Sequence, residues 1–274
     1  LFLHVAVQLA AIGSFVRMFA VGDVPVWQLL GAALSTGVHS GSSAIVVAHE
    51  MIHRKPFHWQ FLGKLLLFTA GNCYFFVEHL RVHHKWVATD RDPASARRGE
   101  NVYAFFLRST FGQLTGAWRL ESERLRSKNR PIFHPSNYVL LSVSLLVILF
   151  ILLKLYLGTP ALIAFLLQCL VANFLLEYTN YIEHYGLIRA ENERTTEVHS
   201  WQSDKLISRF LLIDLARHAD HHFYASKPYH TLVSYPGSPV LPGGYASAIY
   251  LALIPPLWFR MVDTRLDRFL SVAK

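Results

Sequence analysis

The chain has 274 residues, of which 53% are hydrophobic and 16% charged, and its formal net charge is +8. The charged share is well below the roughly 25% of an average soluble domain, and the apolar residues gather in long runs, which argues against one large soluble core. The basic residues occupy the polar stretches between those runs, which is the loop charge of a membrane protein and speaks against a nucleic-acid partner.

In chain order, Leu1 to Val21 predicts a first span, with Arg17 near one end, and Val26 to about Val47 a second. The turn Gly22-Asp23-Val24-Pro25 joins them. Each run has the length that a hydrocarbon core of about 30 Å requires of a helix. The first run opens at Leu1 with no basic segment or small-residue cleavage site before it, so it reads as a span whose upstream sequence is missing rather than as a signal peptide. Phe61 to Val77 is a third apolar stretch, interrupted by Lys64, Gly71 and Asn72 and short for a span. Tyr138 to Leu157 is strongly apolar, Gly158-Thr159-Pro160 predicts a tight turn, and Ala161 to about Tyr178 runs back.

The last third is amphipathic. Asp204 to Ala219 places Leu206, Ile207, Phe210, Leu211, Ile213 and Leu215 among polar positions. A Pro- and Gly-rich loop from Tyr235 to Gly244 follows. Tyr245 to Met261 is apolar but broken by Pro255-Pro256, and reads as an interfacial or buried helix. Cys73 and Cys169 each lie in an apolar stretch, which predicts buried thiols, no disulfide framework and no thiolate metal site. The expected fold is therefore all-α: one membrane-embedded domain over residues 1–274, a helical bundle of about four spans with a histidine-rich helical cap.

Orientation follows from charge. The segment from Arg81 to Arg130 is rich in Lys and Arg, whereas the turns at Gly22–Pro25 and Gly158–Pro160 carry neither. The basic segments are expected to face the cytoplasm. All the histidine clusters then fall on the cytoplasmic side, provided that Phe61 to Val77 does not cross. It is therefore expected to be re-entrant or buried in protein.

Those clusters are His49 and His53; His79, His83 and His84; His184; and His218, His221 and His222. Neutral imidazole offers one nitrogen lone pair to a metal and anchors itself through the other nitrogen. His49 and His53 are one helical turn apart and can grip one ion. His79 and His83 form another such pair, with His84 aimed roughly 100° away, so that triplet can feed two ions. His218, His221 and His222 line one helical face. Nine histidines are too many for one ion and suggest two transition metals. Taken alone, His-Glu-x-x-His at 49–53 suggests a zinc protease with Glu50 as general base, but that leaves most of the clusters unexplained. All-imidazole ligation suits Fe, Zn or Cu. Glu50, Glu183 and Asp220 are expected to orient ring N–H groups from behind. His4 and His39 lie inside spans and are polar groups in the membrane. His58, His134, His199 and His230 read as loop or interface residues.

The clusters resemble the signature of the integral-membrane fatty acid desaturase and hydroxylase superfamily. Ala48-His-Glu-Met-Ile-His-Arg-Lys55, Val87-Ala-Thr-Asp-Arg-Asp-Pro-Ala-Ser95, Asn180-Tyr-Ile-Glu-His-Tyr-Gly-Leu187, Leu215-Ala-Arg-His-Ala-Asp-His-His222 and Leu253-Ile-Pro-Pro-Leu-Trp-Phe-Arg260 look like the bacterial alkane 1-monooxygenase family. The resemblance covers about Ala48 to Leu266. It implies a non-haem centre of two Fe ions held by His49, His53, His79, His83, His84, His184, His218, His221 and His222. It also implies O2-dependent hydroxylation of a medium-chain n-alkane to a primary alcohol, with electrons from NADH through rubredoxin reductase and rubredoxin. The setting it implies is the bacterial inner membrane, and its six transmembrane helices imply that two are missing here. Two departures matter. Val82 replaces a glycine of the family's second motif, as in the xylene monooxygenase hydroxylase branch, and Gln202 replaces an asparagine in the Ser-Trp-Asn-Ser stretch. Hydroxylation of an aromatic methyl group and desaturation or hydroxylation of a fatty acyl lipid are the alternative activities.

Overall fold

Two apolar runs make the first two helices. Helix α1 is Phe2–Val21 and ends at Gly22. Helix α2, Val26–Ile52, starts after Pro25, whose fixed φ suits a helix entry. This is a computed structural model, which describes residues 1–272. The remaining helices are α3 (Phe57–Thr69), α4 (residues 75–86), α5 (Val102–Arg126), α6 (Tyr138–His184), α7 (Leu206–Leu211), α8 (His218–Phe223), α9 (Tyr245–Ala252) and α10 (Pro255–Val272). The one β feature among the described residues is an isolated bridge between Gln202 and Val240, so the all-α expectation holds.

The chain forms two compact units, each discontinuous in sequence. The first comprises Leu1–Val77 and Thr115–Leu176; the second comprises Glu78–Leu114 and the chain from Glu177 onward.

The first unit carries most of the apolar length. Helices α1, α2 and α6 are each long and apolar enough to cross a membrane. At 47 residues, a straight α6 would run about 70 Å, more than twice a bilayer core of about 30 Å. It breaks at Gly158, where φ is 83° and ψ 174°, just before Pro160. The Phe150 and Phe165 ring centroids are 6.1 Å apart, which a straight helix forbids for residues fifteen apart, so α6 doubles back at the expected turn. Phe15, Leu29, Ala33, Leu153, Ala164, Phe165 and Cys169 form the core between these helices. A Cβ on Gly37 would lie 2.7 Å from Val171 Cβ and 2.8 Å from the Gln168 carbonyl oxygen, so α2 and α6 approach as closely as glycine allows.

Several buried polar groups in this unit bond to one another, which offsets the cost of placing them in an apolar interior. Gln8 Nε2 donates to Ser40 Oγ and Thr69 Oγ1, both at 3.0 Å. Gln168 Nε2 donates to the Thr69 carbonyl at 3.0 Å. His4 Nδ1 lies 2.9 Å from Ser43 Oγ. Ser40–Ala44 is a π-helical turn inside α2.

The third apolar stretch is two helices rather than one segment. Helix α3 begins earlier than expected, after Pro56. Its 13 residues span only about 20 Å. The chain then turns at Gly71, φ 73°, and α4 begins at Phe75. Leu66, Leu67, Ala70 and Asn72 are fully buried, so this part of the expectation holds in its protein-buried form.

In the second unit, the amphipathic stretch from Asp204 to Ala219 is not one helix. Helix α7 stops at Leu211 because Ile213 and Asp214 adopt positive φ values of 45° and 62°, and α8 starts afresh at His218. The apolar stretch from Tyr245 does break at Pro255-Pro256, but it does not end at Met261. Pro255 opens α10, a first-turn position where a missing N–H costs nothing, and that helix continues to Val272.

Candidate metal centre

The second unit gathers seven of the nine cluster histidines through two irregularities of helix geometry. The first is in α4, where His79–His83 is a π-helical turn. A π turn bonds residue i to i+5, so residues five apart stack one turn apart. His84 Nε2 accordingly lies 3.0 Å from His79 Nε2, and His83 faces elsewhere. The expected partnership of His79 with His83 is thus replaced by His79 with His84, although the triplet does divide between two groups. The second is the shortness of α8. His222 Nε2 lies 2.9 Å from His218 Nε2 across one turn, while His221 Nε2 lies 3.1 Å from His84 Nε2. The three histidines of α8 therefore serve two groups rather than one face.

Two sets result in this unit. His83, His184, His218 and His222 are all buried, with donor atoms within 4.8 Å of one another. His79, His84 and His221 meet the same distance. The sets adjoin: the His84 and His222 ring centroids are 4.7 Å apart. In the first unit, His49 and His53 stand one turn apart at the end of α2 with ring centroids 4.9 Å apart, as their spacing predicts.

The back nitrogens of two rings are held. His83 Nδ1 lies 2.9 Å from Asp92 Oδ2, and Asp92 also accepts from Ser95 Oγ at 2.6 Å and from the Ala94 N–H at 3.0 Å. His184 Nδ1 donates to the His199 carbonyl at 3.2 Å. The Nε2 atoms of His83 and His184 are buried with no hydrogen-bond partner, which is the state of a nitrogen prepared for a cation. Imidazole nitrogens 2.9–3.1 Å apart cannot both present lone pairs to each other without a shared proton or ion. The residues therefore fit a metal.

Electrostatics agree. Burial works against the Asp92 carboxylate, but the His83 charge and the hydrogen bonds from His83 and Ser95 outweigh it and hold its pKa below the ordinary value. Burial, reinforced by His218, His83, His84 and His184, pushes His222 well below the usual imidazole range, so it stays neutral and can donate a lone pair. Burial pushes the Glu78 carboxyl well up, with Asp92 and Glu177 adding to it.

The three expected acidic residues differ. Glu183 Oε2 lies 3.1 Å from His218 Nε2. Glu50 pairs with Arg54, just past the end of α2. Asp220 takes other partners: Lys227 Nζ at 2.5 Å, the Val233 N–H at 2.7 Å and Tyr235 Oη at 3.0 Å. These bonds hold the following loop against α8. Asp92, which does hold a ring, was missed by sequence reasoning, although the Thr89-Asp-Arg-Asp-Pro93 string flagged its neighbourhood. His199 contributes its carbonyl to the site. Cys73 and Cys169 are free and buried, as expected.

Residues 25–235 match the sequence model of the fatty acid desaturase family. The chain is 42% identical over 88% of its length to alkane 1-monooxygenase 2 of Pseudomonas aeruginosa, covering 65% of that protein. It is 43% identical to alkane 1-monooxygenase 1 of the same organism, over 88% of this chain and 64% of that protein. The xylene/toluene monooxygenase hydroxylase component of Pseudomonas putida is 31% identical over 86% of this chain and 63% of its own length. The chain thus spans a little under two thirds of each of these relatives.

Proposed function

We propose, for a chain that belongs to the fatty acid desaturase family, that it hydroxylates the terminal methyl group of a medium-chain n-alkane at a centre of two non-haem irons. The reaction consumes one O2, two electrons and two protons: one oxygen atom enters the methyl C–H bond to give the alcohol, and the other leaves as water. The observation that carries this reading is the division of seven histidines, all buried but the half-buried His84, into two adjoining sets, His83, His184, His218 and His222 beside His79, His84 and His221. Each set would hold one iron, with His49 and His53 as the remaining donors of the nine that the family resemblance implies.

An alkane methyl C–H has no acidity for a side-chain base to exploit, so iron, when bound, supplies the oxygen activation that no side chain can. The protein's own work is positional. Asp92 and the His199 carbonyl aim the metal-facing nitrogens of His83 and His184. Glu183 stands beside His218. Apolar side chains of α1, α2 and α6 suit a substrate that dissolves in the bilayer. NADH would supply the electrons through rubredoxin reductase and rubredoxin, an acidic carrier that the basic segment from Arg81 to Arg130 would attract. By the positive-inside rule that segment, and the site with it, faces the cytoplasm from a bacterial inner membrane.

A second reading is hydroxylation of an aromatic methyl group. Val82 and the 31% identity to the xylene/toluene hydroxylase component favour it. Metal analysis of the purified membrane protein, paired with product identification on a mixed octane and xylene panel, decides. Octanol with two irons per chain supports the proposal, methylbenzyl alcohol alone transfers it to the second reading, and zinc without oxygenated product overturns both.

A further inference from the structure

The Pro- and Gly-rich loop from Tyr235 to Gly244 delivers one residue with unusual care. Tyr245 is buried at the start of α9, and each of its polar groups is engaged within the second unit. Its N–H donates to Ser208 Oγ at 2.9 Å. Its carbonyl accepts from Tyr178 Oη. Its hydroxyl donates to Glu183 Oε1 at 2.8 Å. Gly244 makes the approach possible, because a Cβ there would lie 2.5 Å from Ser208 Oγ and 3.3 Å from Lys205 Cβ. The backbone of Tyr245 is thus clamped from α6 and α7, and its ring can aim the hydroxyl at one atom.

That atom belongs to a carboxylate in an uncommon place. A carboxylate that merely orients a metal-binding imidazole sits on the nitrogen turned away from the metal, as Asp92 does on His83 Nδ1. Glu183 Oε2 instead lies 3.1 Å from His218 Nε2, the nitrogen that also faces His222 Nε2 at 2.9 Å. Glu183 therefore approaches His218 from the side of the four-histidine set. There a carboxylate can bind with one oxygen, with both, or not at all. The choice depends on what holds its second oxygen.

We infer that Tyr245 is a positioning residue for the metal centre: its hydroxyl occupies Glu183 Oε1, so that Glu183 turns only Oε2 toward His83, His184, His218 and His222. This rests on the reading of those histidines as a metal site, but not on the identity of the metal or substrate. Neither Tyr245 nor Ser208 belongs to the histidine motifs, and their effect on the centre would be transmitted through Glu183 alone.

The test uses the full chain loaded with cobalt(II), read by its visible ligand-field absorption, alongside iron-loaded protein assayed for alcohol formed per NADH consumed. Tyr245→Phe removes the hydroxyl and keeps the ring. It should bind cobalt in unchanged amount but with shifted band positions and intensity. Alcohol per NADH should fall roughly tenfold, the size of one lost hydrogen bond to a carboxylate. Glu183→Gln should abolish the difference, so that the double variant matches Glu183→Gln alone, a non-additivity that a merely structural role would not produce. Ser208→Ala, which leaves the Tyr245 hydroxyl in place but loosens the clamp, should shift the same bands less and serves if Tyr245→Phe does not fold. A cobalt spectrum unchanged in these variants overturns the inference even if alkane is hydroxylated. A shifted spectrum with no alcohol from the wild-type iron protein keeps the inference and overturns the proposed activity. Wild-type protein that takes up neither metal overturns both.

Discussion

The two compact units contain the same irregularity and use it differently. Each has one π-helical turn among its described residues, Ser40–Ala44 in the first and His79–His83 in the second. In the first unit the turn lies within an apolar span, and its Ser40 hydroxyl joins a small set of neutral hydrogen bonds with Gln8 and Thr69. In the second unit the turn contains the metal-binding candidates themselves and decides which of them meet. The lesson is that one backbone device adjusts packing where neighbours are apolar and sorts candidate ligands where they are imidazoles.

Substitutions in the two units should therefore fail in different ways. The largest effect is expected at His184, the buried end residue of α6. His184→Ala should abolish alcohol formation and lose metal while leaving the helical circular dichroism in place. A His184→Ala protein with full turnover, measured by gas chromatography, would remove the basis for the di-iron assignment. Next comes Asp92→Asn, which leaves the His83 ring without its ionised anchor. Metal affinity should fall about 10- to 100-fold, read by competition with a chelator; unchanged affinity would mean that His83 needs no anchor. In the first unit, Gly37→Ala forces a methyl against the Gln168 carbonyl. It should destabilise the protein by about 1–3 kcal/mol, seen as a lower thermal midpoint in detergent, with the metal spectrum of the folded protein unaltered. A changed spectrum would overturn the expectation that packing between α2 and α6 is independent of metal binding. The smallest effect is expected for Gln8→Leu. Interhelical hydrogen bonds in membranes average about 0.6 kcal/mol, so losing two should cost about 1 kcal/mol in the same unfolding measurement, with full metal content.

Hydropathy was enough to locate the apolar helices α1, α2 and α6, but not the 25-residue α5, whose sequence is too polar to stand out. Runs of about twenty apolar residues require burial or lipid whatever they pack against, and Gly158-Thr159-Pro160 turns because glycine tolerates positive φ and proline cannot continue a helix. The failures fell where competing terms are close. From Asp204 to Ala219 the sequence shows only an amphipathic pattern and no boundary, whereas the chain leaves helical geometry at Ile213 and Asp214, where Arg209 pairs with Asp214 at 2.5 Å. At Pro255-Pro256 the sequence shows a break without showing that a longer helix begins there.

The candidate donors are legible in the sequence: histidine spacing and the flanking strings single out nine histidines, because imidazole chemistry resides in residue type and short-range spacing. Their grouping is not. His79 with His84, His221 apart from His218 and His222, and Asp92 behind His83 depend on a π turn, a helix of six residues and a loop. Those are settled by a few kcal/mol of tertiary packing, and sequence periodicity, which assumes regular helices, carries no record of them.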